Sequence, residues 1–265
     1  MHRRTTRVAQ TAMVPIMTFH YDGVEVDLLF ASLPLAAIPP NIDLSDDGVL
    51  RGVDQGTEKS LNGPRVTNLV MKLVPNYDHF VALVRCVRLW AKRRGLYSNK
   101  MGYLGGARPH PPTPSCSACA RARAPGTRIQ AASPQPPGVN CNILSAFLCQ
   151  LYPNAAPSLL LERFFFILRD WKWPTPIMLT PQYDAGLGLD SWDPTVGGNR
   201  FHVMPILTPA YPSMNSSMSV SANTLFVMQG EMAIALDKVR AALEARGDGF
   251  AALFEPVDFC IAHSK

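Results

Sequence analysis

Tyr21-Asp22-Gly23-Val24-Glu25-Val26-Asp27-Leu28-Leu29-Phe30-Ala31 is the stretch that settles the class of fold. Polar Glu25 and Asp27 alternate with apolar Val24, Val26 and Leu28, the two-residue period of a half-buried strand. Tyr21-Asp22-Gly23 fits a tight turn, and Val14 to Phe19 before it reads as a second strand. The spacing predicts a hairpin with two carboxylates on one face. Such a pair suits a divalent metal, and it equally suits a solvated strand face.

Outward from this hairpin the pattern changes to helix. Leu61-Asn62-Gly63-Pro64 reads as a turn, and Thr67 to Val74 as a short helix stopped by Pro75. Asp78 to Arg94 is the clearest helix, with Asp78 as its cap and Gly95 at its stop. Phe80, Val81, Val84, Val87 and Ala91 line one face. Arg85, Arg88 and Lys92 form a cationic stripe on another, able to hold phosphates or to sit in solvent. Gly102-Tyr103-Leu104-Gly105-Gly106 follows, and it is neither a Walker loop nor a dinucleotide fingerprint. Further helices are predicted from about Asn140 to Leu151, from Ser158 to Asp170, and from Met218 to Leu243 with an interruption near Gly230. Residues 174–208 read as a long loop.

Composition narrows the function classes. The 265 residues are 47% hydrophobic and 17% charged, enough for a real core. No apolar run reaches a membrane span, and the first residues lack the apolar region of a secretory signal. Six irregularly spaced cysteines fit a reduced, intracellular chain rather than a disulfide scaffold. The net charge is +5, but Arg108, Arg121, Arg123 and Arg128 supply +4 of it within residues 107–137. Basicity alone is therefore a poor sign of nucleic-acid binding. That segment also holds eight of the 24 prolines and reads as a disordered insert. Its Cys116-Ser117-Ala118-Cys119 lacks the second ligand pair of a zinc site.

Six stretches, in order, carry a resemblance. They are Tyr21 to Ala31; Lys59-Ser60-Leu61-Asn62-Gly63-Pro64-Arg65-Val66-Thr67; and Leu89 to Asn99. Gly102 to Gly106, Cys149-Gln150-Leu151-Tyr152-Pro153-Asn154-Ala155 and Met204 to Pro212 complete the set. Together they resemble the eukaryotic nuclear poly(A) polymerases over about residues 14–260, the insert excepted. The resemblance implies an α+β chain: the C-terminal part of a polymerase-β-type nucleotidyltransferase palm (residues 1–40), followed by a mainly helical central domain (41–255). Residues 256–265 would begin an RNA-binding domain.

The implied activity is template-independent transfer of adenylate from ATP to the 3′ end of pre-mRNA in the nucleus, with Mg²⁺ or Mn²⁺. ATP, an RNA 3′ end and the cleavage and polyadenylation factors are the implied partners. By position, Asp27 resembles the third metal-site aspartate. Asn62 matches the asparagine near the ribose, and Arg88 stands where the family has a triphosphate-binding lysine. Lys92 follows on the same helix face. Tyr97 matches the nucleotide-contacting tyrosine, and Gly105, Gly106 and Val139 match the Gly-Gly-Val run beside the adenine. Thr208 lies in the segment that approaches the base.

The chain departs from the family at four points. The paired Asp-x-Asp strand expected upstream of Asp27 is absent from Met1 to Ala12. Residues 107–137 split the Gly-Gly-Val run and have the composition of translated intron. Cys141 replaces a tryptophan, and the chain ends where the RNA-binding domain would start. The expectation is an incomplete poly(A) polymerase with little or no activity alone. The alternatives are a non-catalytic nucleotide- or RNA-binding module, a partner of the polyadenylation machinery, or a terminal nucleotidyltransferase for another base.

Overall fold

The computed structural model describes residues 7–9, 14, 16–22, 24–105, 138–246 and 249–256. The segment 107–137, with its Cys-x-x-Cys and the disorder expected of it, lies outside the described residues, as do Gly106 and residues 257–265.

Strands β1 (Arg7–Ala9), β2 (Ile16–Tyr21) and β3 (Val24–Leu29) form an antiparallel sheet in the order β1-β2-β3. The alternation read in the sequence sets the β2–β3 register, which places Thr18 opposite Asp27. Asp22 turns the hairpin with a φ of 48°, which an aspartate tolerates better than most residues. Strand β1 was not foreseen.

The rest is helical: α1 (Gln55–Leu73), α2 (Tyr77–Arg93), α3 (Val139–Leu151), α4 (Pro157–Arg169) and α5 (Ala222–Glu244). Their apolar faces meet in one core, where Val87, Trp90 and Ala91 of α2 face Phe164 and Phe165 of α4. The Trp90 and Phe165 rings meet edge-on at 4.8 Å, the arrangement their quadrupoles favour.

Three local expectations are corrected. Leu61 to Pro64 is no turn: it lies inside α1, which Asp54 caps by accepting the Thr57 N–H. Pro64 is on the exposed face, so the helix loses one hydrogen bond there while Leu61, Arg65, Val66 and Val70 stay buried on the other side. Asn76, not Asp78, caps α2, its side chain accepting from the His79 N–H at 3.0 Å. Finally, α5 runs unbroken through Gly230. An exposed helical glycine costs about 1 kcal/mol. The burial of Met228, Met232, Ala235, Leu236 and Val239 and the Ser221–Thr224 capping box outweigh it.

The loop between α4 and α5 is ordered by polar side chains rather than by strands. Asn215 accepts the backbone N–H groups of Ile206 and Ser217, and the Ser216 hydroxyl donates to Asn140 at the start of α3. The loop is thereby pinned over the helix that begins beside Tyr97. Among the described residues, no helix is long and apolar enough to cross a membrane.

Candidate nucleotide site

Two clusters and one isolated carboxylate account for the residues singled out in the sequence. The first cluster is built around Tyr97, just past the end of α2. Arg88 and Lys92, one turn apart on α2, place their cationic groups 5.6 and 5.3 Å from the centre of its ring. Two cations on one ring are attracted to its face but repel each other. No ion pair among the described residues neutralises either one.

Two glycines make the fit possible. A Cβ on Gly105 would stand 2.4 Å from the Tyr97 carbonyl carbon and 2.5 Å from its ring. Gly138 has a φ of 86°, and a Cβ there would lie 2.5 Å from the Tyr97 hydroxyl and 3.3 Å from Arg88 Nε. The chain thus leaves at Gly105 and returns at Gly138 one tyrosine length apart. Gly138 also opens α3, whose first turn has no side-chain cap. The free N–H groups of that turn add partial positive charge beside Arg88. Val139 and Cys141 are buried within it. Burial pushes the Cys141 thiol up to about 12, with Arg88 and Lys92 pulling the other way, so the cysteine stays a neutral, packed side chain.

The second cluster lies between α1 and the loop before α5. Glu58, Asn62 and Arg65 of α1 share a shallow hollow, open to solvent, with Leu50, Lys59, Tyr211, Pro212 and Met214. Arg65 is 1% exposed and forms the cavity floor. Its guanidinium donates to the carbonyls of Leu44 (2.9 Å), Asp46 (2.7 Å) and Tyr211 (3.1 Å) and to the Asp47 carboxylate (2.5 Å). The Tyr183 hydroxyl donates to the other Asp47 oxygen at 2.8 Å. Burial and this bond hold the phenol up to about 12, so it remains a donor at neutral pH. Thr208 is buried nearby in chain order, its hydroxyl accepting the Met214 N–H at 2.9 Å. Its oxygen is spent holding the turn that presents Tyr211, Pro212 and Met214.

Asp27 stands apart. Its carboxylate is exposed, and its one partner among the described residues is the Thr18 hydroxyl, at 2.7 Å across the hairpin. No group of three or more His, Cys, Asp or Glu among the described residues is placed to hold a metal ion. One carboxylate with a threonine beside it does not make a two-metal site. The described residues therefore do not fit the metal pair implied for the family.

Of the residues expected at a site, Arg88, Lys92, Tyr97, Gly105 and Val139 come together, Asn62 lies in the second cluster, Thr208 is buried without lining its cavity, and Asp27 joins neither. Gly106 lies outside the described residues. Gly138, Glu58, Arg65 and Tyr211 were not singled out from the sequence. Arg65 and Tyr211 sit inside the quoted motifs, but an arginine in a motif does not announce that it is buried.

Comparison with known proteins agrees with the architecture. Residues 79–108 and 131–256 match the poly(A) polymerase central domain, and residues 2–74 match the poly(A) polymerase nucleotidyltransferase domain. Residues 109–130 fall outside both. Nuclear poly(A) polymerase 1 of Arabidopsis thaliana is 42% identical over 96% of this chain and 31% of its own length. Nuclear poly(A) polymerase 4 of the same plant is 40% identical over 96% of this chain and 30% of its own. The chain thus spans about a third of the curated relatives it matches. The crystal structure of mtPAP in complex with UTP shares the fold, with a TM-score of 0.50 and 12% identity over 96% of this chain and 50% of that one. The central-domain match alone takes in more than half of the residues, and the chain belongs to the poly(A) polymerase family.

Proposed function

We propose that this chain carries the nucleotide-binding half of a nuclear poly(A) polymerase, the enzyme class that adds adenylate from ATP to an RNA 3′ end without a template. The observation that carries the reading is the Tyr97 corner. Arg88 and Lys92 have no carboxylate partner among the described residues, and they flank one ring beside the open amino end of α3. A polyphosphate supplies the missing negative charge. Arg88 replaces a lysine, so it holds phosphate oxygens through a planar fork rather than a point charge.

In this reading Tyr97, Gly105 and Val139 lie along the nucleotide, and Asn62 takes the ribose; Gly106, outside the described residues, has only the role the resemblance implies. Thr208 shapes the wall toward the base. Asp27 stands in the position of a metal-site aspartate for Mg²⁺ or Mn²⁺, without the further carboxylates such a site needs among the described residues. With none beside it there to complete a metal pair, this chain in the present reading binds ATP without extending RNA. The RNA 3′ end and the cleavage and polyadenylation factors are the partners of the family activity, and the nucleus is its place.

Calorimetry of the purified chain with ATP and Mg²⁺, beside a primer-extension assay, tests this. Binding without extension is expected, and Arg88→Ala weakens binding about tenfold. Extension of the primer overturns the assignment of inactivity. Absence of ATP binding overturns the nucleotide site itself. The same Asp27 observation favours a second reading, a non-catalytic nucleotide- or RNA-binding module. Binding that survives Asp27→Ala with metal present supports it.

A further inference from the structure

Glu58 is the unexplained residue of the α1 cavity. It lies one turn before Asn62, at i and i+4, and both side chains line the same hollow. Among the described residues neither makes a side-chain hydrogen bond or an ion pair. The other wall is largely apolar: Leu50, Tyr211, Pro212 and Met214. The floor is closed by Arg65, whose guanidinium already donates to three carbonyls and a carboxylate. Beside Lys59, the cavity therefore offers an incoming group one carboxylate acceptor and one amide, a helical turn apart, against an apolar face.

Hydrogen-bonding chemistry limits the occupant. Lys59 and Arg65 line the hollow too. The Arg65 donors, however, are taken by three carbonyls and Asp47, and Lys59 has an interaction of its own. The group left to be matched is the Glu58 carboxylate, which an anion does not match. A purely apolar group leaves the carboxylate and the amide unanswered. Adjacent hydroxyls, which both donate and accept, satisfy the pair while their ring carbons rest on Tyr211 and Pro212. The half-buried Glu58 carboxyl is raised above its ordinary value by lost solvation, opposed by Lys59, as fits an acceptor not yet matched to a donor.

We propose that Glu58 is a specificity-determining residue that reads the sugar of the bound nucleotide, its carboxylate accepting a hydrogen bond from a ribose hydroxyl beside Asn62. This rests on the nucleotide-binding reading above and adds a residue to it. The sugar is recognised by α1, while the phosphates are held by α2 and the start of α3. Discrimination between ribose and deoxyribose is therefore separable from phosphate affinity.

The test is calorimetric titration of the chain with ATP, 2′-deoxyATP, 3′-deoxyATP and ITP, for the wild type and for Glu58→Val and Glu58→Gln. Glu58 is only half-buried on a helix face, so both variants are expected to fold, and their helical circular dichroism is compared first. In the wild type at least one deoxy analogue binds about tenfold more weakly than ATP. In Glu58→Val that ratio falls to near one, because ATP affinity drops to the analogue's level and the analogue is unaffected. Glu58→Gln keeps a carbonyl acceptor and an intermediate ratio.

An unchanged ratio in Glu58→Val overturns the proposal and leaves nucleotide binding standing. A change confined to ATP against ITP overturns it too, by assigning Glu58 to the amino group of the base. If the wild type binds none of the four, the nucleotide site itself fails, and the proposal falls with it.

Discussion

Tyr97 is held from three stretches of chain, by α2, by Gly105 and by Gly138, whereas Asp27 touches a single threonine on the neighbouring strand. Both residues lie in motifs of the same family. The difference is one of support. The Tyr97 corner sits against the helical core, where van der Waals contact leaves no room for even one more carbon. The hairpin exposes Tyr21, Leu28 and Phe30 as well as Asp27, so among the described residues one hydrogen bond from Thr18 is all that orients that carboxylate. Arg65 belongs with the supported side: a buried cation that ties α1, the turn before it and the Tyr211 loop into one wall. A close-packed site keeps its geometry without ligand, while an isolated one needs partners to acquire it.

That contrast can be broken experimentally, and the largest effect is expected at Arg65. Arg65→Met takes the guanidinium from three carbonyls and from the partly exposed Asp47 carboxylate, a loss of about 3–4 kcal/mol in urea unfolding. Gly105→Ala comes next, at about 3 kcal/mol, because the added carbon meets the Tyr97 backbone, which has nowhere to go. A variant as stable as the wild type would show that the corner is looser than its geometry.

Asp27→Asn is the counterpart on the hairpin. It changes unfolding free energy by no more than about 0.5 kcal/mol, since an exposed carboxylate with one hydroxyl partner has little to lose. A large destabilisation there would mean the hairpin is as well supported as the corner.

The smallest effect is pH-dependent and concerns His202. Its Nδ1 accepts the Trp192 indole N–H at 3.0 Å, which requires a neutral ring, and burial lowers its pKa. The native state therefore takes up a proton less readily than the unfolded chain. The contribution is full above the ordinary histidine range and is lost as pH falls through it toward the lower native value. Melting temperature should drop slightly over that interval, and His202→Phe should flatten the drop. An equal drop in the variant would assign it to other groups.

The hairpin, the cationic stripe of α2 and the family motifs were legible because each is a local pattern. Alternation, helical spacing and runs of identical residues survive in one dimension. The errors were local too. Pro64 and Gly230 look like breaks when only propensity is weighed, yet both fall on exposed helix faces whose opposite sides are buried. Burial over several turns outweighs a single missing bond or a glycine's entropy.

The amino-acid sequence by itself determined the secondary-structure periods, the family and the candidate residues Arg88, Lys92, Tyr97 and Asn62, since these depend on side-chain order alone. Only the tertiary structure decided which of them meet. It placed Gly138 against the Tyr97 hydroxyl, put Glu58 and Asn62 in one cavity with Tyr211, buried Arg65 beneath them, and left Asp27 outside. Those contacts join residues from about 40 to about 150 positions apart, the Arg65–Tyr211 separation of 146 among the longest. Packing against a shared core sets them, and no local pattern encodes that packing.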